Sequence, residues 1–177
     1  MTTINMRLGS INARALVDAK YSREGVKLGC PRLTALEYRL KPLYAMILDG
    51  NHAQHSTAVQ IEQSLNDRFA AEMENLLEQD AALTALINPD DPIQPDLNAQ
   101  AVPMVLIAKY PLIISGLRLI KQYDKLILLI DFLYKTNQLG ALQPHLIARK
   151  MREKAGKPVR RFMTQVSKEL AAAGLSN

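Results

Sequence analysis

Apolar residues in this chain recur mostly at intervals of three and four, the period of a helix buried along one side. From Pro31, itself suited to a first helical turn, Leu33, Leu36 and Leu40 fall on one face. Pro42 kinks or restarts this helix, which runs to Asp49 and stops at Gly50. A second, longer helix is capped by Ser56 and carries Ile61, Leu65, Phe69, Met73 and Leu76 as its stripe. Pro111 opens the most apolar helix, PLIISGLRLIKQYDKLILLIDFLYKTNQLG. Ile113, Leu117, Ile120, Tyr123, Ile127, Ile130 and Tyr134 form one stripe there, and Leu112, Leu119, Leu126 and Leu133 a second. The leucines are spaced by sevens, but with both flanks also apolar they belong inside a bundle rather than to a two-stranded zipper. Two last helices, PHLIARKMREKA and PVRRFMTQVSKELAAA, are expected on either side of a turn at Gly156 and Lys157.

One stretch follows a different period. From about Leu8 to Val17 the positions alternate, with Ser10, Asn12 and Arg14 on one side and Ile11, Ala13 and Ala15 on the other, which predicts a strand. A lone strand leaves its backbone groups unpaired, and with no second strand evident the simplest partner is the same segment of another copy. The expected fold class is therefore mainly α: a ribbon-helix-helix-like N-terminal strand forms an intersubunit antiparallel ribbon, followed by an elaborated helical bundle. At 177 residues the chain suits a single domain, 1–177. The segment 88–103, NPDDPIQPDLNAQAVP, holds four prolines in sixteen residues and reads as a loop dividing a strand-plus-helix half, 1–87, from a helical half, 104–177.

Composition supports helices: tryptophan is absent and aromatic residues make up only 5%, so Leu, Ile, Ala and Met must fill the core. The single cysteine, Cys30, excludes an intrachain disulfide and points to a reducing cytoplasm. MTTINMRLGS lacks the apolar core of a signal peptide, and charges at Arg118, Lys121, Asp124, Lys125 and Asp131 interrupt the richest apolar window, so no membrane span is expected. The net charge of +5 conceals a polarised chain. Residues 1–40 carry seven Lys/Arg against three Asp/Glu, residues 41–100 two against ten, and residues 101–177 thirteen against four. Two basic ends around an acidic middle fit a protein that meets a polyanion with selected surfaces, nucleic acid above anionic lipid.

The chemistry-bearing motifs agree with a binding role. No Gly-rich phosphate loop, nucleophile elbow or paired-carboxylate motif occurs, so no enzyme, cofactor or metal is expected. His52 and His55 sit three apart without a neighbouring cysteine or acidic ligand and read as part of a polar loop. Between His145 and Arg161 seven cations face one anion, Glu153. With Gly156 in the turn this run suggests a helix-turn-helix, although Arg152 stands where a small residue is usual. The competing reading is a solvated basic face. In the N-terminal ribbon, Asn12 and Arg14 are the side chains suited to base edges, with Lys20, Arg23 and Lys27 beside them for phosphates. The plainer alternative has this segment merely cap the helical core.

Three stretches together resemble a known family. GSINARALVDAKYSREG followed by GCPRL is similar to the N-terminal signature of the AcaB family of conjugative plasmids and integrative conjugative elements. YPLIISGLRLIKQYDKL resembles that family's central Pro-Tyr and Tyr/Phe-Asp segment, and AGKPVRRFM its paired-arginine segment near the C-terminus. The chain departs in its middle, where it reads ILDGNHAQH in place of an aspartate-rich stretch, and it is short after Gly174. The resemblance implies a DNA-binding activator of ribbon-helix-helix type that regulates conjugation or transfer genes on a mobile element. With the lone cysteine and the unpaired strand, the expectation is a cytoplasmic homodimer on double-stranded DNA. On this basis Asn12 and Arg14 fall in the ribbon, and Arg160 and Arg161 match the paired arginines. Two alternatives stay open: DNA binding through the C-terminal helix pair, and a structural or adaptor protein of a conjugative or integrating element.

Overall fold

A computed structural model describes residues 2–21, 28–97, 101–140 and 142–175. Its elements run β1 (Thr2–Leu8), α1 (Ile11–Val17), a 3-10 turn (Ala19–Tyr21), α2 (Leu33–Leu48), α3 (His55–Thr84), β2 (Val102–Ala108), α4 (Pro111–Lys135) and α5 (Pro144–Ala172). The fold is mainly helical, with a short two-stranded antiparallel sheet at the N-terminus. Helices α3, α4 and α5 pack on one another, α2 lies against α3 and α5, and α1 rests on α4. No helix among the described residues is long and apolar enough to cross a membrane.

Helix α4 is the axis of the bundle, as its two-sided apolar pattern predicts. Both stripes are buried except Tyr134, which is exposed. The start of α4 is pinned by aromatic contacts. The ring of Tyr110 stacks on Tyr44 at 4.7 Å. The Tyr44 hydroxyl donates to Glu62 Oε1 (2.6 Å) and accepts the Leu112 N–H (3.4 Å), so one side chain joins α2, α3 and α4. Helix α2 buries Leu33, Leu36 and Leu40 as expected and continues through Pro42 to Leu48.

The N-terminal segment differs from the expected strand. Residues 11–17 are helical, and the strand lies just before them. Ser10 decides this locally: its Oγ accepts the Ala13 N–H at 3.1 Å, the arrangement of a helix N-cap. Ala13, Ala15, Leu16 and Val17 are buried and Ile11 is exposed, so the inner residues follow one side of a helix rather than an alternating face. In β1, Met6 and Leu8 point inward while Thr3, Asn5 and Arg7 are exposed. The partner of β1 is β2 of the same chain, in antiparallel register from Thr2 opposite Ala108 to Leu8 opposite Val102. The intersubunit ribbon is corrected accordingly: the backbone groups assigned to a second copy are met within the subunit. Val102 and Pro103 thus belong to a strand rather than to the end of the proline-rich loop. Pro103 is tolerated because each strand of a two-stranded sheet has an unpaired edge.

The C-terminal helix pair is also corrected. Helix α5 is one 29-residue helix that runs through Gly156 and contains Pro158. Its buried positions, Ala148, Ala155, Val159, Phe162, Val166 and Leu170, keep helical spacing across the Gly-Lys-Pro stretch. Continuous packing therefore outweighs the local punctuation. Gly156 has another use: a Cβ there would lie 2.7 Å from Arg160 Nη1, so its absence makes room for the Arg160 side chain. That guanidinium donates to the Glu153 carbonyl (3.3 Å) one turn before the interruption by Pro158.

Helix α1 is held onto α4 by Asp124, one of two buried charged side chains among the described residues. Its Oδ2 accepts the Gly9 N–H and its Oδ1 the Ser10 N–H, each at 2.7 Å. Gly9 permits the approach, since a Cβ there would come within 2.9 Å of Leu128 Cδ1. Replacing Asp124 by Ala leaves two amide donors without their acceptor and is expected to lower stability by about 3 kcal/mol in urea unfolding. Asp124→Asn, with one acceptor oxygen left, should lose less. Gly156→Ala should raise stability by about 0.5–1 kcal/mol, because Ala is the better residue inside a helix and the Arg160 tip can move aside. A loss of stability on the same measurement would mean that the chain needs a turn there.

Candidate nucleic-acid interface

Because α5 is continuous, its cations share a solvent side instead of dividing across a turn. Arg149, Lys150, Lys154, Lys157, Arg161 and Lys168 are all exposed along it. From Arg149 to Lys168 this side extends for about 28 Å at 1.5 Å per residue. Arg149 pairs with Glu153 (3.0 Å), while Lys150, Lys154, Lys157 and Lys168 form no ion pair among the described residues.

The two ends of the chain meet beside this helix. An open groove of about 480 Å³ runs between α1 and α4, lined by Ser10, Asn12, Arg14, Asp131 and Arg152. A neighbouring recess of about 230 Å³ shares Asn12 and Arg152 and adds Tyr123, Glu153 and Arg160. Arg160 and Leu28 in turn border a larger groove of about 600 Å³ between α3 and α5. A chain of open depressions thus carries cations from α1 across α5 to α3.

Of the residues expected to bind DNA, Asn12, Arg14 and Arg160 are brought together along this path, with Arg161 at its far end. Asn12 is exposed, whereas Arg14 is half-buried and its Nε donates to the Ser10 carbonyl at 3.4 Å. Lys20 stands apart on the 3-10 turn, its ammonium 5.0 Å from the centre of the Tyr21 ring. Arg23 and Lys27 lie outside the described residues. Arg161 donates to Glu72 Oε2 (2.7 Å) and keeps half of its side chain exposed.

Two contributors, Arg68 and Lys168, go unnoticed in the sequence, and Arg152 falls in its basic run without being assigned to the site. Arg152 looked misplaced for a helix-turn-helix, yet it donates twice to Asp131 Oδ1, at 3.0 and 2.7 Å, and locks α5 to α4. The spacing of four between Arg68 and Glu72 was visible as a helical ion pair, but the third member, Arg161, lies far along the chain. The histidines are engaged locally: His52 Nδ1 accepts the Gln54 N–H, and His55 Nδ1 pairs with the Met46 carbonyl at 3.1 Å.

These features define a mainly helical bundle with an N-terminal strand pair and a cationic helix along one side. The fold is similar to that of selenomethionine-containing AcaB from uropathogenic E. coli, known from its crystal structure. The two have a TM-score of 0.66 and 13% sequence identity over 98% of this chain and 82% of that one. At that identity the likeness concerns the fold. No protein-family model and no curated protein matches the sequence.

Burial pushes the Cys30 thiol above its usual range, while Arg160 and Arg32 act in the opposite sense. A raised thiol pKa leaves less thiolate at neutral pH. Alkylation of Cys30 by iodoacetamide at pH 7.5 is therefore expected to be slower in the folded protein than in the urea-unfolded chain. Equal rates would mean the thiol is neither shielded nor shifted.

Proposed function

We propose that the protein is a double-stranded-DNA-binding transcriptional regulator, an activator of transfer genes on a conjugative or integrating element. The observation that carries this reading is the convergence of Asn12 and Arg14 from α1 with Arg152 and Arg160 of α5 along adjoining grooves, beside the exposed cations of that helix. The motif resemblance to the AcaB family and the similarity in fold to AcaB support it. In this reading the exposed lysines and arginines of α5 lie along phosphates and supply affinity, whereas Asn12 and Arg14 supply base contacts. The protein acts as a homodimer, so that two α1 segments address two half-sites.

Neutralising each phosphate adds about 0.9 to the slope of log affinity against log salt. Replacing Lys157, Arg160 and Arg161 together by Ala is therefore expected to lower that slope by about 2–3 on any duplex, as read by fluorescence anisotropy. Arg14→Ala should cost about 1–3 kcal/mol on the preferred site and little on random DNA. Equal losses on both would make Arg14 a phosphate contact. A protein that bound no duplex at low salt would instead favour an adaptor, with Leu77, exposed beside the exposed Glu74 and Glu78 on α3, as its working surface.

A further inference from the structure

We propose that the groove between α3 and the C-terminal half of α5 is a phosphoryl-group site whose geometry is set by Glu72. Arg68, Arg160, Arg161, Thr164, Gln165 and Lys168 line this groove of about 600 Å³, and among the described residues no carboxylate lines it. Glu72 lies behind the lining, only 3% exposed. Its Oε1 accepts from Arg68 Nη2 at 2.8 Å and its Oε2 from Arg161 Nη2 at 2.7 Å.

One buried carboxylate therefore holds two guanidinium groups that reach it from different helices. A guanidinium has five N–H donors in a rigid fork, so each arginine keeps donors free of this bond. Both side chains remain substantially exposed, at 41% and 50%. With Arg160 and Lys168 the group carries four cations against two nearby carboxylates, Glu72 behind the lining and Glu169 bonded to Gln165. That excess suits a doubly charged tetrahedral anion better than a single carboxylate, and fixed guanidinium forks match phosphate oxygens. The Thr164 hydroxyl adds a neutral donor at the same wall, and the Gln165 amide, which donates to Glu169 Oε1 at 2.9 Å, keeps a second N–H.

A phosphoryl group can come from the DNA backbone or from a free phosphorylated small molecule. The first source rests on the DNA-binding reading above, and the second does not.

The role of Glu72 has a test of opposite sign. Glu72→Gln removes a negative charge, so simple attraction predicts tighter anion binding, whereas a positioning role predicts weaker binding. Pyrophosphate is the probe, titrated calorimetrically at low ionic strength against chloride of equal ionic strength. The wild-type protein should bind pyrophosphate at least tenfold more tightly than chloride. Arg68→Ala should abolish that preference, and both Glu72→Gln and Arg68→Lys should weaken binding severalfold. Arg68→Lys keeps the charge without the fork, so it decides the matter if Glu72→Gln fails to fold. Loss of duplex affinity in Arg68→Ala, with a salt slope lower by about one, identifies the backbone as the source. Unchanged duplex binding beside lost pyrophosphate binding identifies a free phosphorylated molecule. If no duplex binds at all while the pyrophosphate preference persists, the regulator reading fails and this site stands. A wild-type protein that does not distinguish pyrophosphate from chloride, or an Arg68→Lys variant as good as wild type, overturns the proposal.

Discussion

The carboxylate of Asp124 is the contact on which the arrangement of the candidate interface depends. It sits in the middle of the most buried helix, yet both of its oxygens are satisfied by the consecutive amides of Gly9 and Ser10. A buried charge is tolerable only when it is fully hydrogen-bonded, and here the donors are backbone groups at the start of a helix, where negative charge is favoured. The same amides connect β1 to α1. Fixing them places the strand on one side of the junction and Asn12 and Arg14 on the other, close to Arg152 of α5. Two motifs far apart in sequence, Gly-Ser near the N-terminus and Tyr-Asp in α4, turn out to be the two halves of one contact.

Glu72 is the second buried charge, and it serves the opposite end of the same surface. Asp124 takes neutral amides, while Glu72 takes two arginines and leaves them partly exposed. Both cases show how the acidic and basic blocks of the chain are used in folding. Glu62 is bonded to Tyr44, Glu72 to Arg68 and Arg161, Asp80 to Lys125 and Gln122, and Asp131 to Arg152. Three acids of the middle block, Glu62, Glu72 and Asp80, are thus occupied against neighbouring helices. On the outer side of α5, Arg149 is paired with Glu153 and Arg161 with Glu72, whereas Lys150, Lys154, Lys157 and Lys168 form no ion pair among the described residues, so positive charge gathers along that side.

The continuity of α5 has a direct bearing on function. A turn at Gly156 would have split the cations between two helices at an angle, as a helix-turn-helix does. A single 29-residue helix instead presents them along one solvent side, suited to sequence-independent contact with a phosphate backbone. Under the DNA-binding reading proposed above, discrimination between sequences falls to a neighbouring element, and α1, which Asp124 sets beside Arg152 and Arg160, is the one at hand.

How much of this was legible follows from the range of the interactions involved. The sequence by itself determined the helical period, the central place of α4 with its two apolar stripes, the starts of helices at Pro111 and after Pro31, and the basic character of the C-terminal run. All of these depend on neighbours within a turn or two, where side-chain spacing carries the information. Gly156 and Pro158 misled because punctuation is local, whereas the burial of Val159, Phe162 and Val166 that keeps α5 intact is supplied by other helices. The alternation at Ser10 to Ala15 misled because an Ncap serine and a short buried helix edge can imitate a strand over six residues. Only the tertiary structure decided that β1 pairs with β2 and that Asp124 faces the Gly9 and Ser10 amides. It alone brought Arg161 to the carboxylate that Arg68 shares. Each of these joins residues far apart along the chain, and nothing in a local period records which distant partner will satisfy a backbone amide or a buried charge.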